Sequence, residues 1–496
     1  MRTEVLVVGS GFGGITAASL LQRSGKQVHL LESAAEWGGS AGKFQRGPYR
    51  FPVGATVMMG LERDGIHDKI NRYLGIHVEA EPLETAMLVH AGERTFTYYQ
   101  NRHAFLREWE RHLPERAGAI RAFFEEVWAF ASILRRHMTT FPVLPPGNLL
   151  EAAAVLRGAG LKSPLLLPHL TSTLEKLLKK HHLQHESRFT EFLDGVLLDS
   201  MQTRYKDCSM LLACTALDIY HRGIWYVKGG LYRLIEEMTI RFQEDGGTLK
   251  KPRKITRLEP VPDGGWEAVD HRGNVYEAEQ VVVNMPIKNV YDLLPAEMQP
   301  AAAARWKKEI DPERQWGAGV LYAAFKDIVP DHEPLFQQFL IDPEAPPVED
   351  NHFFVSLSAR GDTLRAPEGY RTMTVSTHIH IQRWNESQEA YDSRMAALRK
   401  NVTNRLNERW PGFIDAVEKL EQGGPRAWER FTQRASGGVG GFPQTPDQAL
   451  WNAASHRTPF PDLYIAGDNV FPGAGSIAAA SSGVHAARTI TGRRIL

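Results

Sequence analysis

Residues 3–14 read TEVLVVGSGFGG, and their order decides the fold. Thr3 to Val8 is a short β-branched run, the composition of a strand buried on both faces of a parallel sheet. Gly9-Ser10-Gly11-Phe12-Gly13-Gly14 follows at once, and a helical pattern then begins with Ile15, Ala18, Leu20 and Leu21 on its apolar side, stopping near Ser24-Gly25. The next strand is predicted over Gln27 to Leu31 and ends in Glu32. Gly9 permits the tight turn, Gly11 lets backbone approach a pyrophosphate, and Gly14 lets the helix pack closely on the strand. The helix amides and its positive end then face phosphate charge. Glu32, with Ser33 at the strand tip, stands eighteen residues after Gly14, where a carboxylate accepts both ribose hydroxyls of an adenosine and repels a 2′-phosphate. Strand, loop, helix, strand and acid together predict an α/β chain with a Rossmann-type dinucleotide site.

Six residues beyond Glu32 comes Gly38-Gly39-Ser40-Ala41-Gly42. A nicotinamide dehydrogenase has no need of a second glycine loop here, whereas an extended FAD uses one to cradle the same pyrophosphate from another side. The expected cofactor is therefore FAD.

The 496 residues amount to about three domains' worth of chain at roughly 150 residues each. A composition that is 43% hydrophobic and 23% charged describes a globular protein with a large core. Lys plus Arg (58) cancels Asp plus Glu (58), so net charge does not gather nucleic acid, and no nucleic-acid partner is expected. Cys208 and Cys214 fit neither a zinc knuckle nor a CxxC pair, and are expected to be reduced, packed thiols. No HExxH, GxSxG or P-loop pattern is present, which removes the usual nucleophile, metal and phosphate loops. The amino terminus lacks the form of a cleaved secretory signal, and no run of about 18 apolar residues occurs, so the expectation is a cytoplasmic protein without a spanning helix.

The two ends of the chain carry a family resemblance. Gly9 to Gly14, Glu32, Gly38-Gly39-Ser40, the segment Tyr49 to Thr56 and the closing stretch Leu463 to Gly475 resemble the carotenoid desaturase and isomerase flavoproteins of the wider amine oxidase superfamily. The resemblance is dense at both termini, recurs near Tyr226 to Leu231 and Val281 to Pro286, and is faint between residues 100 and 220. It implies that Asp468, after Gly467, bonds the ribityl chain of FAD. The backbone of Gly475-Ser476-Ile477-Ala478 would lie beside the flavin pyrimidine edge, where a helix amino terminus stabilises negative charge on the reduced ring. Gly54-Ala55-Thr56 would pass along the ring, and Ile255 would meet the adenine through its backbone. The turn at Asn284-Met285-Pro286 is expected to approach the cofactor. Many desaturases and amine oxidases carry arginine after the paired glycines, where this chain has Ser40, as carotenoid isomerases do. Pro52 stands where relatives commonly have aspartate.

Residues 101 to 137 show a helical period, with Phe105, Trp109, Leu113, Ile120, Phe124, Val127 and Leu134 among its apolar positions. From 141 to 180 come short apolar helices broken by glycine and proline, ending in Lys179-Lys180-His181-His182. An apolar segment beside a cationic cluster suits a protein lying on an anionic membrane surface, as does a buried helical subdomain with a solvated basic end. The apolar substrates that the resemblance implies put beside the buried-subdomain reading an equal expectation, that residues 141–180 form a membrane-contacting entrance to a substrate tunnel and the cytoplasmic protein sits peripherally on the inner face of the membrane. Strands are predicted at Gly319 to Lys326, Phe353 to Ser358 and Thr372 to Ile381. The last alternates Met373, Val375 and Ile379 against Thr374, Ser376 and His378, the mark of a half-buried sheet. His378 and His380 share a face without a third ligand, so no metal is expected.

The expected organisation is a discontinuous FAD-binding domain (1–65, 222–290 and 425–496) carrying a mixed-sheet and helical substrate domain (66–221 and 291–424). The resemblance implies a long apolar polyene as substrate, a carotenoid or related isoprenoid, desaturated by hydride transfer to flavin. Redox-neutral cis–trans isomerisation and saturation of a double bond stand beside it. So do an amine or protoporphyrinogen oxidase on the same scaffold, and a non-catalytic flavin-binding partner. No catalytic side chain is assigned from the sequence.

Overall fold

The computed structural model describes residues 1–342, 345 and 348–496. Its first sheet has the strand Arg2–Val8 at its centre, paired in parallel with Val28–Leu31 on one side and Val275–Val283 on the other. Thr248–Lys250 continues beyond Val28–Leu31, also in parallel. Val275–Val283 is long enough to do two things along its other edge. Its first half pairs antiparallel with Trp266–Asp270, which pairs antiparallel in turn with Ile255–Pro260, while Val281, Val282 and Val283 pair in parallel with Leu463–Ile465. The carboxyl-terminal segment is thus built into the same sheet as the first strand.

Val5 and Val7 pack into one apolar cluster with the helices Phe12–Arg23, Tyr232–Glu244 and Ser476–Thr491. Leu6 and Val8 pack into another with Ile287, Val290 and Trp306. Successive side chains on a strand point to opposite faces, so this run is apolar throughout because both faces are covered. Helix Ser476–Thr491 lies on helix Phe12–Arg23 so closely that a Cβ on Gly483 would meet the Gly13 carbonyl oxygen at 2.3 Å.

The second sheet orders Val417–Gly423, Gly317–Lys326, Tyr370–Ile379, His352–Leu357, Phe336–Leu340, Thr85–Ala91 and Arg94–Tyr99. Every neighbouring pair is antiparallel except Phe336–Leu340 with Thr85–Ala91. One face, with Met373, Val375 and Ile379, packs on helix Gln388–Arg409. The opposite face of Tyr370–Ile379 is not solvated as the alternation predicts: Thr374 is buried there, and Ser376 and His378 face an internal cavity. Period-two alternation distinguishes two faces but does not say which meets water. Helices Arg102–His112 and Ala117–Met138 take up the predicted helical stretch, and with Ser187–Met201 and Met210–Arg222 they enclose an aromatic core. Cys208 and Cys214 are buried free thiols, the latter within helix Met210–Arg222.

Candidate functional site: an elongated cavity between the two sheets

A cavity of about 670 Å³ runs from the carboxyl ends of the first sheet's strands to the inner face of the second sheet. Its nucleotide end is walled by Gly9, Ser10, Gly11, Phe12, Gly13, Glu32, Ser33, Gly38, Gly39, Ser40 and Ile255. Further along come Gly54, Ala55, Thr56, Asn284, Gly467, Asp468, Gly475, Ser476 and Ile477. Of the residues singled out from the sequence, Gly14 and Ala478 are off the wall. Gly14 is tucked inside the turn, where a Cβ would lie 2.0 Å from the Gly9 carbonyl oxygen. Ala478 follows Ile477 into the helix, and its neighbour Ala479 takes the lining position.

Two helices open on this wall without a side-chain cap, Phe12–Arg23 behind Gly11 and Ser476–Thr491 behind Gly475. Their first-turn amides and positive ends are left to a ligand. Gly475, at φ +89°, has nothing within 4 Å of where a Cβ would stand, so backbone itself forms the surface there. Two uncapped helix ends and a glycine-faced trough fit an extended, pyrophosphate-bridged dinucleotide.

Glu32 is more fully engaged than its sequence position implies. One oxygen accepts from the Ser10 amide at 2.9 Å and the Ser10 hydroxyl at 2.6 Å; the other accepts from the Ser33 hydroxyl at 3.0 Å and the Ala34 amide at 2.8 Å. The Ser10 hydroxyl in turn accepts from the Gly38 amide at 2.9 Å. The carboxylate therefore brackets both glycine loops. Two of its four donors are hydroxyls that rotate, and two are amides that do not.

Asn284 donates its side-chain amide to the Ala466 carbonyl, and its own backbone amide donates to Val8, joining the first strand to the carboxyl-terminal one beneath the loop. Asp468 accepts from Arg434 at 2.8 Å and from Asn469 at 3.0 Å. Arg434, on the cavity wall beside Val439 and Gly440, was not singled out from the sequence.

Beyond Thr56 and Ile477 the cavity opens into an apolar chamber. Met87, Ala216, Ile219, Val320, Phe336 and Phe354 line it, contributed by the second sheet and helix Met210–Arg222. Three titratable groups share this wall: Asp199, Tyr220 and His378. Burial holds the His378 imidazole down to about 4, so it is neutral. Burial and the charge of Asp199 push the Tyr220 phenol up. Burial alone pushes the Asp199 carboxyl up to about 6. The sequence offered one signal for Asp199, an acid directly after the apolar run Val196-Leu197-Leu198 in the last turn of the helix, and nothing to distinguish it from a solvated one. Among the described residues, no group of three His, Cys, Asp or Glu side chains gathers as a metal site.

Among the described residues, none between 141 and 180 lines this cavity. Apolar side chains of that segment divide: Leu166, Leu174, Leu177 and Leu178 pack inward, while Leu149, Leu156, Leu161, Leu165 and Leu167 are exposed. No helix among the described residues is long and apolar enough to cross a membrane.

Fold and wall together define a dinucleotide-binding flavoenzyme. The chain belongs to the flavin containing amine oxidoreductase family, whose profile matches residues 12–491. It is an FAD-dependent enzyme of the oxidoreductase type. Prolycopene isomerase 1 of an Oncidium hybrid cultivar is 25% identical over 98% of this chain and 83% of its own length. The 4,4′-diapophytoene desaturase of a Methylomonas species is 21% identical over 95% of this chain and 92% of its own. The crystal structure of an oxidoreductase from Methanosarcina mazei superposes with a TM-score of 0.63 at 13% identity, over 99% of this chain and all of that one, a likeness of fold.

Proposed function

We propose that this protein rearranges the double bonds of a long apolar polyene, a carotenoid or related isoprenoid, and that the reaction is cis–trans isomerisation. The observation that carries the substrate class is the apolar chamber continuing from the flavin end of the cavity, where Met87, Ile219, Val320, Phe336 and Phe354 offer an unsaturated hydrocarbon contact and no ion pair. FAD, when bound, supplies the redox-active ring. In this reading the amides of Phe12–Arg23 hold its pyrophosphate, Glu32 exchanges its two serine hydroxyls for ribose hydroxyls, Ile255 borders the adenine, and the amino end of Ser476–Thr491 faces the flavin's pyrimidine edge. Ser40 in place of arginine, and relatives named prolycopene isomerases that span 98% of the chain, support isomerisation. Desaturation by hydride transfer to flavin is the second reading, supported by the desaturase relatives.

Anaerobic incubation with a poly-cis carotene separates the reactions. Unchanged mass with a shifted absorption spectrum is expected; loss of two hydrogens would make the enzyme a desaturase, and gain of two a saturase. Peroxide release with an amine, and no change in any polyene, would overturn the substrate class.

The exposed leucines between 149 and 167 lie in the same stretch as Lys162, Lys176, Lys179 and Lys180, a pattern that supports docking on an anionic membrane from which an apolar substrate could be drawn. Leu161→Asp, Leu165→Asp and Leu167→Asp together are expected to weaken binding to phosphatidylserine vesicles by about a thousandfold or more, from lost apolar burial of roughly 1.5–3 kcal/mol per side chain at tenfold per 1.4 kcal/mol. Undiminished sedimentation would remove the membrane assignment.

A further inference from the structure

We propose that Asp199 is the catalytic acid and base of this enzyme, exchanging a proton with the polyene in the chamber. The inference rests on the polyene reading above.

Helix Ser187–Met201 brings Asp199 to the chamber. Gly195, one turn earlier, faces Val89 and Gln338, so that side of the helix lies against the second sheet. Asp199 then lines the same cavity as Met87, Met201 and Phe336. The other carboxylates on the cavity wall are Glu32 and Asp468 at the nucleotide sheet, Asp292 on helix Ile287–Leu293 and Glu429 on helix Pro425–Thr432. Among the described residues no cation or hydrogen-bond donor is paired with Asp199, and burial is the sole cause of its raised pKa. The other titratable groups on the wall, Tyr220 on the facing helix and His378 on the sheet, are both held neutral. An acid buried in apolar surroundings without a cation carries no stabilising ion pair; it costs folding free energy at neutral pH. With its pKa raised to about 6, the carboxyl can both hold and release a proton near neutral pH.

In isomerisation the carboxyl O–H bond breaks and a C–H bond forms at one carbon of the cis double bond. That bond becomes single, and the positive charge spreads along the remaining conjugated carbons, facing the carboxylate left behind. After rotation the same carbon returns a proton to Asp199 and the double bond re-forms in trans. No electron is transferred and no atom is gained or lost.

The test is conversion of a poly-cis carotene in D₂O by the FAD-loaded enzyme. The parent is expected to place deuterium on polyene carbons. Asp199→Asn is expected to bind FAD normally, lose the label and slow by about 10²–10⁴-fold, the range of general acid–base catalysis. Asp199→Glu is expected to recover part of both. The parent rate is expected to fall as pH rises through about 6, since the protonated carboxyl begins the reaction. A second readout is independent of turnover. The folded carboxyl titrates above the ordinary aspartate value of about 4, so ionisation destabilises the fold as pH climbs from about 4 through about 6. Asp199→Asn should therefore melt with the parent below pH 4 and above it at pH 8. Unlabelled product, a flat pH profile, or an asparagine variant as fast as the parent would overturn the assignment while the polyene reading stands. A parent that alters no polyene at all overturns the polyene reading itself.

Discussion

Gly14→Ala is expected to destabilise the protein by about 3 kcal/mol or more and to yield it without flavin absorbance. The added Cβ would stand 2.0 Å from the Gly9 carbonyl oxygen and 2.9 Å from the Asn284 Cβ. Neither neighbour is the loose end of a flexible side chain. Gly9 is itself held at φ +96°, where a Cβ would be 2.5 Å from the Asn284 carbonyl oxygen, so the turn cannot retreat in that direction. Relief requires helix Phe12–Arg23 to lift off the sheet, which takes Ile15, Ala18 and Leu21 out of their packing with it. Overpacking usually costs about 1–3 kcal/mol, and a backbone-to-backbone collision sits at the upper end because nothing can rotate away. Gly25→Ala is the control. It shares φ +96° with Gly9 but has nothing within 4 Å of its Cβ position, so it should show the backbone strain alone, about 1–2 kcal/mol, and keep its flavin. Denaturant midpoints and flavin absorbance of the two variants decide the matter. Equal effects would mean that crowding at the turn is not what shapes the site.

The features legible in the sequence are those written in local chemistry. The strand Arg2–Val8 announces burial on both faces because Val5, Leu6, Val7 and Val8 are apolar in succession, and the helix after it announces its start through the glycines that leave its amides free. Helices Arg102–His112 and Ala117–Met138 were visible in their 3.6-residue period. What was hidden depends on partners distant in the chain. The parallel pairing of Gln337 with Leu88 joins strands some 250 residues apart, and it is this pairing that completes the chamber's sheet. The strand Tyr370–Ile379 looked half-solvated because Thr374, Ser376 and His378 are polar; the strand Tyr49–Pro52, distant in the chain, packs against it, and Ser376 and His378 face the cavity. Asp199 was invisible for the same reason, since an acid reads as solvated until the opposing wall is in place. The first glycine loop, by contrast, was legible residue by residue, although its acid proved to hold the loops together as well as to face the cavity.

Glu32→Ala is expected to lose stability as well as cofactor, and the pairing of those losses discriminates between two roles for the carboxylate. If Glu32 served ribose alone, FAD-free protein with alanine would unfold at the same denaturant concentration as FAD-free parent. The bracket geometry argues otherwise. Removing the carboxylate leaves the Ser10 and Ala34 amides without their acceptor, and frees the Ser10 hydroxyl that holds the Gly38 amide. An unpaired buried donor costs about 1–3 kcal/mol. Two such amides, offset in part by relief of burying a charge, put the loss in the FAD-free protein at about 2–4 kcal/mol. Cofactor binding then suffers twice, through the ribose contacts and through loops that must be re-ordered on binding. Together these should weaken FAD retention by about a hundredfold or more, at tenfold per 1.4 kcal/mol. Glu32→Gln is expected to fall between parent and alanine, because it keeps one acceptor oxygen and turns an NH₂ toward two of the donors. Titration of FAD into stripped protein, followed by unfolding of the stripped protein itself, measures both losses on one sample. An alanine variant with unaltered FAD-free stability would return Glu32 to a purely ribose-facing role and leave Ser10 as the residue that joins the two loops.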